Sequence, residues 1–485
     1  MAPQNGSDEN QPVRGVDYAD DYDACGDEFV GYNEWATEQL GVTLFTDFVY
    51  DYDDGERGVY VAEDIAPQTC VVAVPFESLL TLAWLRDQVV EQMHPVYSRV
   101  ALFASLALPK WDYDREDDAL ALALLYERFL VREASKWYPH LQLLPRSYDN
   151  LLYFSDNELE HLKGSNVFYI AQQMKRKVMG DYEALRSAGI LGELRAAIEA
   201  THNGLEPDEI EKAFSLDNYT WALSTIWSRF VSLRMTSDDD TGIGVELIDT
   251  PAFSVLKAMA PVFDMLNHDP EAEVSHGYNS ATHSLEVVTH QHVSAGTQLC
   301  INYGGLSNHK LLTLYGFVIP ENPYDVIDLW MPMRMTTPMY DLKDQALRAL
   351  GIDHETMGYE LAASDDGSID NRLLLAARVM ALECESEELF VQCVSKIKDG
   401  EIVSQANETQ AVNMILQTVK TMLSLYEWYD DEPKKSAISV SHLDMARILR
   451  ESDCHILNEA IDTLNLMLLQ ASQEVNDDSS LDARY

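Results

Sequence analysis

The chain is short of positive charge and of cysteine, and it has no long apolar run. Only 34 of its 485 residues are Lys or Arg, against 81 Asp and Glu, for a formal net charge of -47. Such a surface repels phosphate backbones and anionic bilayers within a Debye length of about 8 Å, which disfavours direct nucleic-acid binding. A basic protein partner or a lysine-bearing substrate is instead drawn inward. The same charge also serves solubility alone. The six cysteines, Cys25, Cys70, Cys300, Cys384, Cys393 and Cys454, form no CxxC pair, so neither a zinc cluster nor a disulfide framework is indicated and a reducing compartment suits them. No window approaches 18 uninterrupted apolar residues, and the first residues lack both an apolar signal core and the Arg/Ser-rich character of a transit peptide. The expectation is a cytosolic or nuclear protein without a membrane span.

What is present is ordinary globular material, 46% hydrophobic and 24% charged, long enough for two or three lobes at roughly 150 residues each. Residues 1–28 are acidic and poor in aliphatics and read as a disordered tail. Short β-rich runs follow, GVYVAEDI (58–65) and TCVVAVP (69–75), with Ala66-Pro67 as a turn between them. Residues 79 to about 235 read as helical; the stretch beginning DDALALALLYERF spaces Leu120, Leu124, Tyr126 and Leu130 near helical intervals behind Asp117 and Asp118. After the polar TSDDDTGIG loop, AEVSHGYNS, HSLEVVTH and TQLCINYG alternate as strands of a small antiparallel meander. The helical block therefore reads as an insertion into one β domain. From Tyr324 onward, apolar residues at three- and four-residue intervals predict a separate all-helical lobe.

Four stretches carry candidate chemistry. In DDGERGVYV, Gly55 and Gly58 flank Glu56-Arg57, where glycine permits close approach of a ligand or simply makes a turn. In TWALSTIWSRF, Arg229 ends a helix and suits either a carboxylate clamp or an ordinary ion pair. In PVFDMLNHDP, Asn267 and His268 sit at the exit of an apolar run, as turn formers or as ligands. In CINYGGLSNHKLLTLYGF, a strand delivers Tyr303 to a Gly-Gly turn, Ser307 or Asn308 caps a short helix, and Tyr315 precedes Gly316, a C-terminal stop. Both tyrosines also fit as half-buried aromatics with satisfied hydroxyls. His290 and His292 share a strand face, but without cysteine ligands or HExxH spacing a solvated hairpin edge is the better reading, and no metal is expected.

In this order and at these separations the four stretches resemble the SET-domain protein methyltransferases, in the branch of Rubisco large-subunit methyltransferase. The resemblance extends to LALLYERFLVREASKWYPHLQLLP, LYFSDNELEHLKGS, WALSTIWSRF, DMLNHD and DNRLLLAARVMAL. It implies an α+β fold: a split small antiparallel β SET domain over 29–320, made of 29–78, a helical insertion 79–240 and 241–320 with its knot-like crossing. An all-helical Rubisco LSMT-type substrate-binding domain follows over 325–485. It implies S-adenosylmethionine as cosubstrate, with Glu56, Arg57, Gly58, Arg229, Asp264, Asn267, His268, Tyr303 and Tyr315 as its site and Tyr303 as the catalytic tyrosine. Gly-Glu-Arg-Gly displaces the first glycine of the family's Gly-x-Gly loop, and Asp269 stands where serine is commoner. The implied activity is methylation of a lysine on a non-histone protein by a monomer, the substrate docking partly on the helical lobe. Methylation of a protein histidine, and a SET-like module that only holds a basic partner, are the alternatives.

Overall fold

The computed structural model describes residues 29–53, 56–108, 113–202, 204–236, 253–362, 369–426 and 440–482. The acidic tail 1–28 and the loop 237–252 lie outside the described residues. In chain order the strands are β1 (Thr43–Leu44), β2 (Phe48–Asp53), β3 (Glu56–Val61), β4 (Thr69–Pro75), β5 (Leu80–Thr81), β6 (Val231–Thr236), β7 (Phe253–Met259), β8 (Asn267–His268), β9 (Val274–Asn279), β10 (Ser284–Thr289), β11 (Cys300–Ile301), β12 (Val326–Leu329) and β13 (Tyr359–Ala362).

One antiparallel sheet runs β1-β4-β10-β9. Its centre is the pair Val72↔Val287 and Val74↔Leu285, all four side chains buried, because residues two apart on a strand face the same side. β3 does not pair with β4 across Ala66-Pro67 as the sequence implies; it forms a hairpin with β2, while β4 belongs to the other sheet. The reason lies in the returning segment 293–299. Gly296 N–H donates to Val61 O (2.8 Å), Val61 N–H to Thr297 O (3.1 Å) and Leu299 N–H to Val59 O (2.7 Å), so the free edge of β3 is taken. β11 likewise leaves the expected meander and pairs in parallel with β8, Cys300↔Asn267 and Ile301↔His268, a two-residue crossing of segments 33 positions apart.

The helical block begins after β5 and ends before β6, which sandwich β7 in a three-stranded sheet; both strands fall inside the stretch read as helical. At its centre the helix Glu116–Tyr126 is buried on all sides from Asp118 to Tyr126 rather than along one stripe. The acidic residues of its first turn face cations and donors: Asp117 takes Trp227 Nε1–H at 3.0 Å and an ion pair from Lys257. The C-terminal lobe is helical as expected, except for the antiparallel ribbon β12-β13. It has its own core around Leu373, Ala377, Ile415 and Leu457. A smaller apolar seam, in which Leu151, Phe154, Leu312, Met445 and Leu449 are buried together, joins it to the helical block. No helix among the described residues is long and apolar enough to cross a membrane.

Candidate active site

The site grows from one tightly turned segment, 260–268. Val262 sits at φ +73°, a conformation that costs a β-branched residue about 1–3 kcal/mol and persists only where neighbours over-determine it. They do so here. Val262 N–H donates to the Tyr32 hydroxyl (3.1 Å), Asp264 N–H to Ala260 O (3.0 Å) and Leu266 N–H to Phe263 O (3.1 Å). The turn throws two carbonyls to one side: Asp264 O accepts from Arg229 Nη1 at 2.9 Å, and Leu266 O accepts from the Tyr303 hydroxyl at 2.7 Å. The chain then straightens into β8, where Asn267 and His268 lie alongside β11, and Asp269 N–H closes the crossing on Ile301 O (3.1 Å).

Tyr303 follows β11 directly, so the same crossing that seats Asn267 and His268 also aims the phenol. Its N–H donates to His268 Nδ1 (3.1 Å), which assigns the ring hydrogen of the neutral imidazole to Nε2. Burial lowers the His268 pKa and favours that neutral form. The rings of His268 and Tyr303 stack at 4.9 Å, and those of Tyr303 and Tyr315 at 4.9 Å, with Phe317 6.1 Å from both His268 and Tyr315. Burial raises the Tyr303 pKa well above the ordinary phenol value, so its hydroxyl stays protonated at neutral pH. Arg229 ends the helix Leu216–Arg229 and is partly buried; desolvation opposes its charge, yet Tyr148, Asp264 and Tyr303 around it hold its pKa above the usual value. Its Nε–H is buried with no partner. A buried guanidinium donor left open beside a wall of aromatic faces fits a ligand that carries both a carboxylate and a cation.

A family model for the SET domain matches residues 56–304, and one for the Rubisco LSMT substrate-binding domain matches residues 335–476. The chain belongs to the SET-domain family. By family it is a SET-domain protein methyltransferase, a class that takes its methyl group from S-adenosylmethionine. Among relatives, it is 24% identical to ribosomal lysine N-methyltransferase set10 of Schizosaccharomyces pombe, over 86% of this chain and 68% of that protein. It is 23% identical to the actin-histidine N-methyltransferase of Gallus gallus and 24% identical to that of Homo sapiens, each over 90% of this chain and 68% of the relative. Its fold matches the crystal structure of the SET domain of LSMT bound to lysine and AdoHcy with a TM-score of 0.68 at 20% identity, covering 92% of each chain. Rubisco LSMT bound to AdoMet matches with a TM-score of 0.66 at 19% identity, over 92% of this chain and 93% of that one.

Within this SET domain the other sequence-named residues have different neighbours. Asn267 Nδ2 donates to Arg57 O (2.7 Å) and to Gln298 Oε1 (3.3 Å), so its side chain ties β8 to β3. A Cβ on Gly58 would lie 2.5 Å from Gln298 Nε2, so the glycine makes room for that amide. The Arg57 guanidinium leaves the site: Nη1 donates to Leu143 O (2.6 Å) and the group lies 6.0 Å from the Phe29 ring centre. The Asp264 carboxylate also turns away, to His140, and only its carbonyl faces Arg229. The side chain of Glu56 lies outside the described residues. His290 bonds Ser275 (2.7 Å) and Gln68 (3.3 Å), and no group of potential metal ligands forms among the described residues. The sequence assigns no site role to Tyr32, His140, Tyr148 or Gln298, although His140 and Gln298 fall in stretches quoted from it; only the folded chain brings them to the site.

Proposed function

We propose that this protein methylates a lysine side chain of a non-histone protein, using S-adenosylmethionine. The observation that supports this best is the Tyr303 hydroxyl, committed as a donor to Leu266 O inside the His268–Tyr303–Tyr315 stack and beside the open Nε–H of Arg229. When bound, S-adenosylmethionine supplies a methyl group on a cationic sulfur. Arg229 would hold its carboxylate, and the backbone around Asn267 and His268 would line its nucleoside end.

The rest follows from the chain's own groups. Because the phenol hydrogen points at Leu266 O, the lone pairs of the oxygen face the other way and can only accept. They are placed to receive an N–H of an incoming amine and to line its remaining lone pair up with the methyl, within about 3 to 3.5 Å. As a protonated phenol, Tyr303 orients rather than deprotonates. The ammonium, with a reference pKa near 10.4, would give its proton to solvent water as it enters, a loss that desolvation among the rings favours. The ring faces stabilise nearby positive charge by about 0.5 to 2 kcal/mol per contact.

The acidic surface, -47 in net charge, suits a basic region around the target lysine. Docking partly on the helical lobe, by a monomer, belongs to the same proposal. A protein histidine is the second reading, supported by the actin-histidine relatives. The test is incubation of the full-length protein and native cell extract with tritiated S-adenosylmethionine, followed by mass spectrometry of the labelled protein. Methyllysine is the expected product and methylhistidine selects the second reading; absence of saturable S-adenosylmethionine binding to the pure protein overturns both.

A further inference from the structure

Three side chains that the chemistry above does not use form a buried relay behind the site. The Tyr32 hydroxyl lies 2.7 Å from His140 Nδ1, and His140 Nε2 lies 3.0 Å from Asp264 Oδ2. One hydrogen pattern satisfies every donor. Val262 N–H occupies a lone pair of the Tyr32 oxygen, so the hydroxyl donates to His140 Nδ1 and Nε2–H donates to the carboxylate. The side chains of His140 and Asp264 are 1% and 0% exposed, which makes each missing partner expensive.

The three come from three places: the helix Tyr32–Leu40, the helix Tyr138–Leu143 of the insertion, and the turn Phe263–Met265. They grip that turn at two points, the strained Val262 N–H and the Asp264 carboxylate, and the carbonyls of Asp264 and Leu266 hold Arg229 and Tyr303. Asp264 Oδ1 is buried without a protein partner, so the relay holds this carboxylate through its other oxygen alone.

We propose that Tyr32 and His140 are positioning residues for methyl transfer: through Asp264 and Val262 they fix the two backbone carbonyls that aim the Arg229 guanidinium and the Tyr303 hydroxyl. This rests on the methyltransferase reading above. Tyr32→Phe removes one hydroxyl and keeps the ring, which packs against Trp35 at 5.2 Å and edge-on against Tyr50 at 5.4 Å. His140→Leu removes both ring nitrogens. His140→Gln keeps an acceptor and a donor on one amide.

The test uses the full-length protein, calorimetric titration with S-adenosylmethionine, and initial rates of tritium transfer to extract protein, corrected for the folded fraction. Tyr32→Phe and His140→Leu are expected to lower turnover by about tenfold or more and to weaken S-adenosylmethionine affinity severalfold, with His140→Gln recovering most of both. Should His140→Leu fail to fold, Tyr32→Phe decides alone. A Tyr32→Phe protein that melts lower but turns over and binds like the unaltered one overturns this proposal and leaves the methyltransferase reading standing. An unaltered protein that binds no S-adenosylmethionine overturns both.

Discussion

The hydroxyl of Tyr303 donates to the main-chain carbonyl of Leu266 at 2.7 Å, across the parallel crossing of β8 and β11. The donor is thereby used up inside the protein, and what the phenol offers a substrate is its lone pairs. Tyr303→Phe keeps the ring stack and the fold but removes that acceptor. Turnover is expected to fall by about two or more decades, the usual size of a positioned acid–base or hydrogen-bonding group, while calorimetry shows S-adenosylmethionine binding retained. Unchanged turnover would remove Tyr303 from the proposed chemistry.

Asn267 is the second such position. Its amide donates to the Arg57 main-chain carbonyl and to the Gln298 side-chain Oε1, so it ties β8 to β3 and to the returning segment beside the proposed cosubstrate pocket. Asn267→Ala leaves the Arg57 carbonyl without that donor, at about 1 to 2 kcal/mol, and S-adenosylmethionine should dissociate roughly tenfold more readily. A titration that gives the parent affinity would count against the bracing role.

How much of this the sequence discloses depends on the range of the interaction. The β-rich run at 69–75 and the alternating run at 284–289 mark β4 and β10, and the residues of the proposed site are legible because short polar groups stand out at the exit of an apolar run. The pairing of those strands is another matter. β8 and β11 are two residues each, shorter than any periodic window, and their parallel contact depends on where the 293–299 segment lies against β3. The Glu116–Tyr126 helix is apolar on every side and so carries no phase to show which face meets the core. His140 looks like any lone histidine near the end of a helix, and Arg57 stands in the glycine loop while its guanidinium bonds the Leu143 carbonyl; neither partner is encoded nearby.

Gly316 ends the turn that carries Tyr315, at φ +82°, with its N–H on Leu311 O (3.0 Å). A Cβ there would lie 2.7 Å from Asn150 N and 2.8 Å from Asp149 C, backbone atoms that have nowhere to go. Gly316→Ala combines that clash with left-handed strain and should cost about 2 to 4 kcal/mol, read as a clear drop in melting temperature. Because the displaced turn ends in Tyr315, turnover per folded molecule should fall with it. A variant that melts with the parent would show that the 149–150 segment yields easily.

Two buried histidines fasten the long C-terminal helix to the SET lobe, and their titration should be visible in stability. His309 Nε2 lies 2.8 Å from Asp453 Oδ1 and 3.4 Å from Ser165 Oγ; the other carboxylate oxygen takes the Tyr426 hydroxyl at 2.6 Å, and Asp325 and Asp328 add negative charge nearby. His442, stacked on Phe154 at 4.1 Å, stands 3.1 Å from both Asp149 Oδ1 and Glu158 Oε1. Burial works against charging either ring, but the facing carboxylates outweigh it and both folded pKa values lie above the ordinary 6.5. A folded value raised in this way gives stability that is complete below the unfolded pKa and is lost as pH rises through the folded one. Melting temperatures taken from about pH 6 to about pH 9 should therefore decline more steeply for the parent than for the double variant His309→Gln/His442→Gln, which has no imidazole to discharge. Carboxyl groups that burial raises, Asp118 and Glu127 among them, act in the same direction in both proteins, so the difference between the two profiles isolates the histidines. Parallel profiles would mean that the two rings stay neutral and that the clasp holds through neutral hydrogen bonds and the Leu312–Met445–Leu449 seam alone.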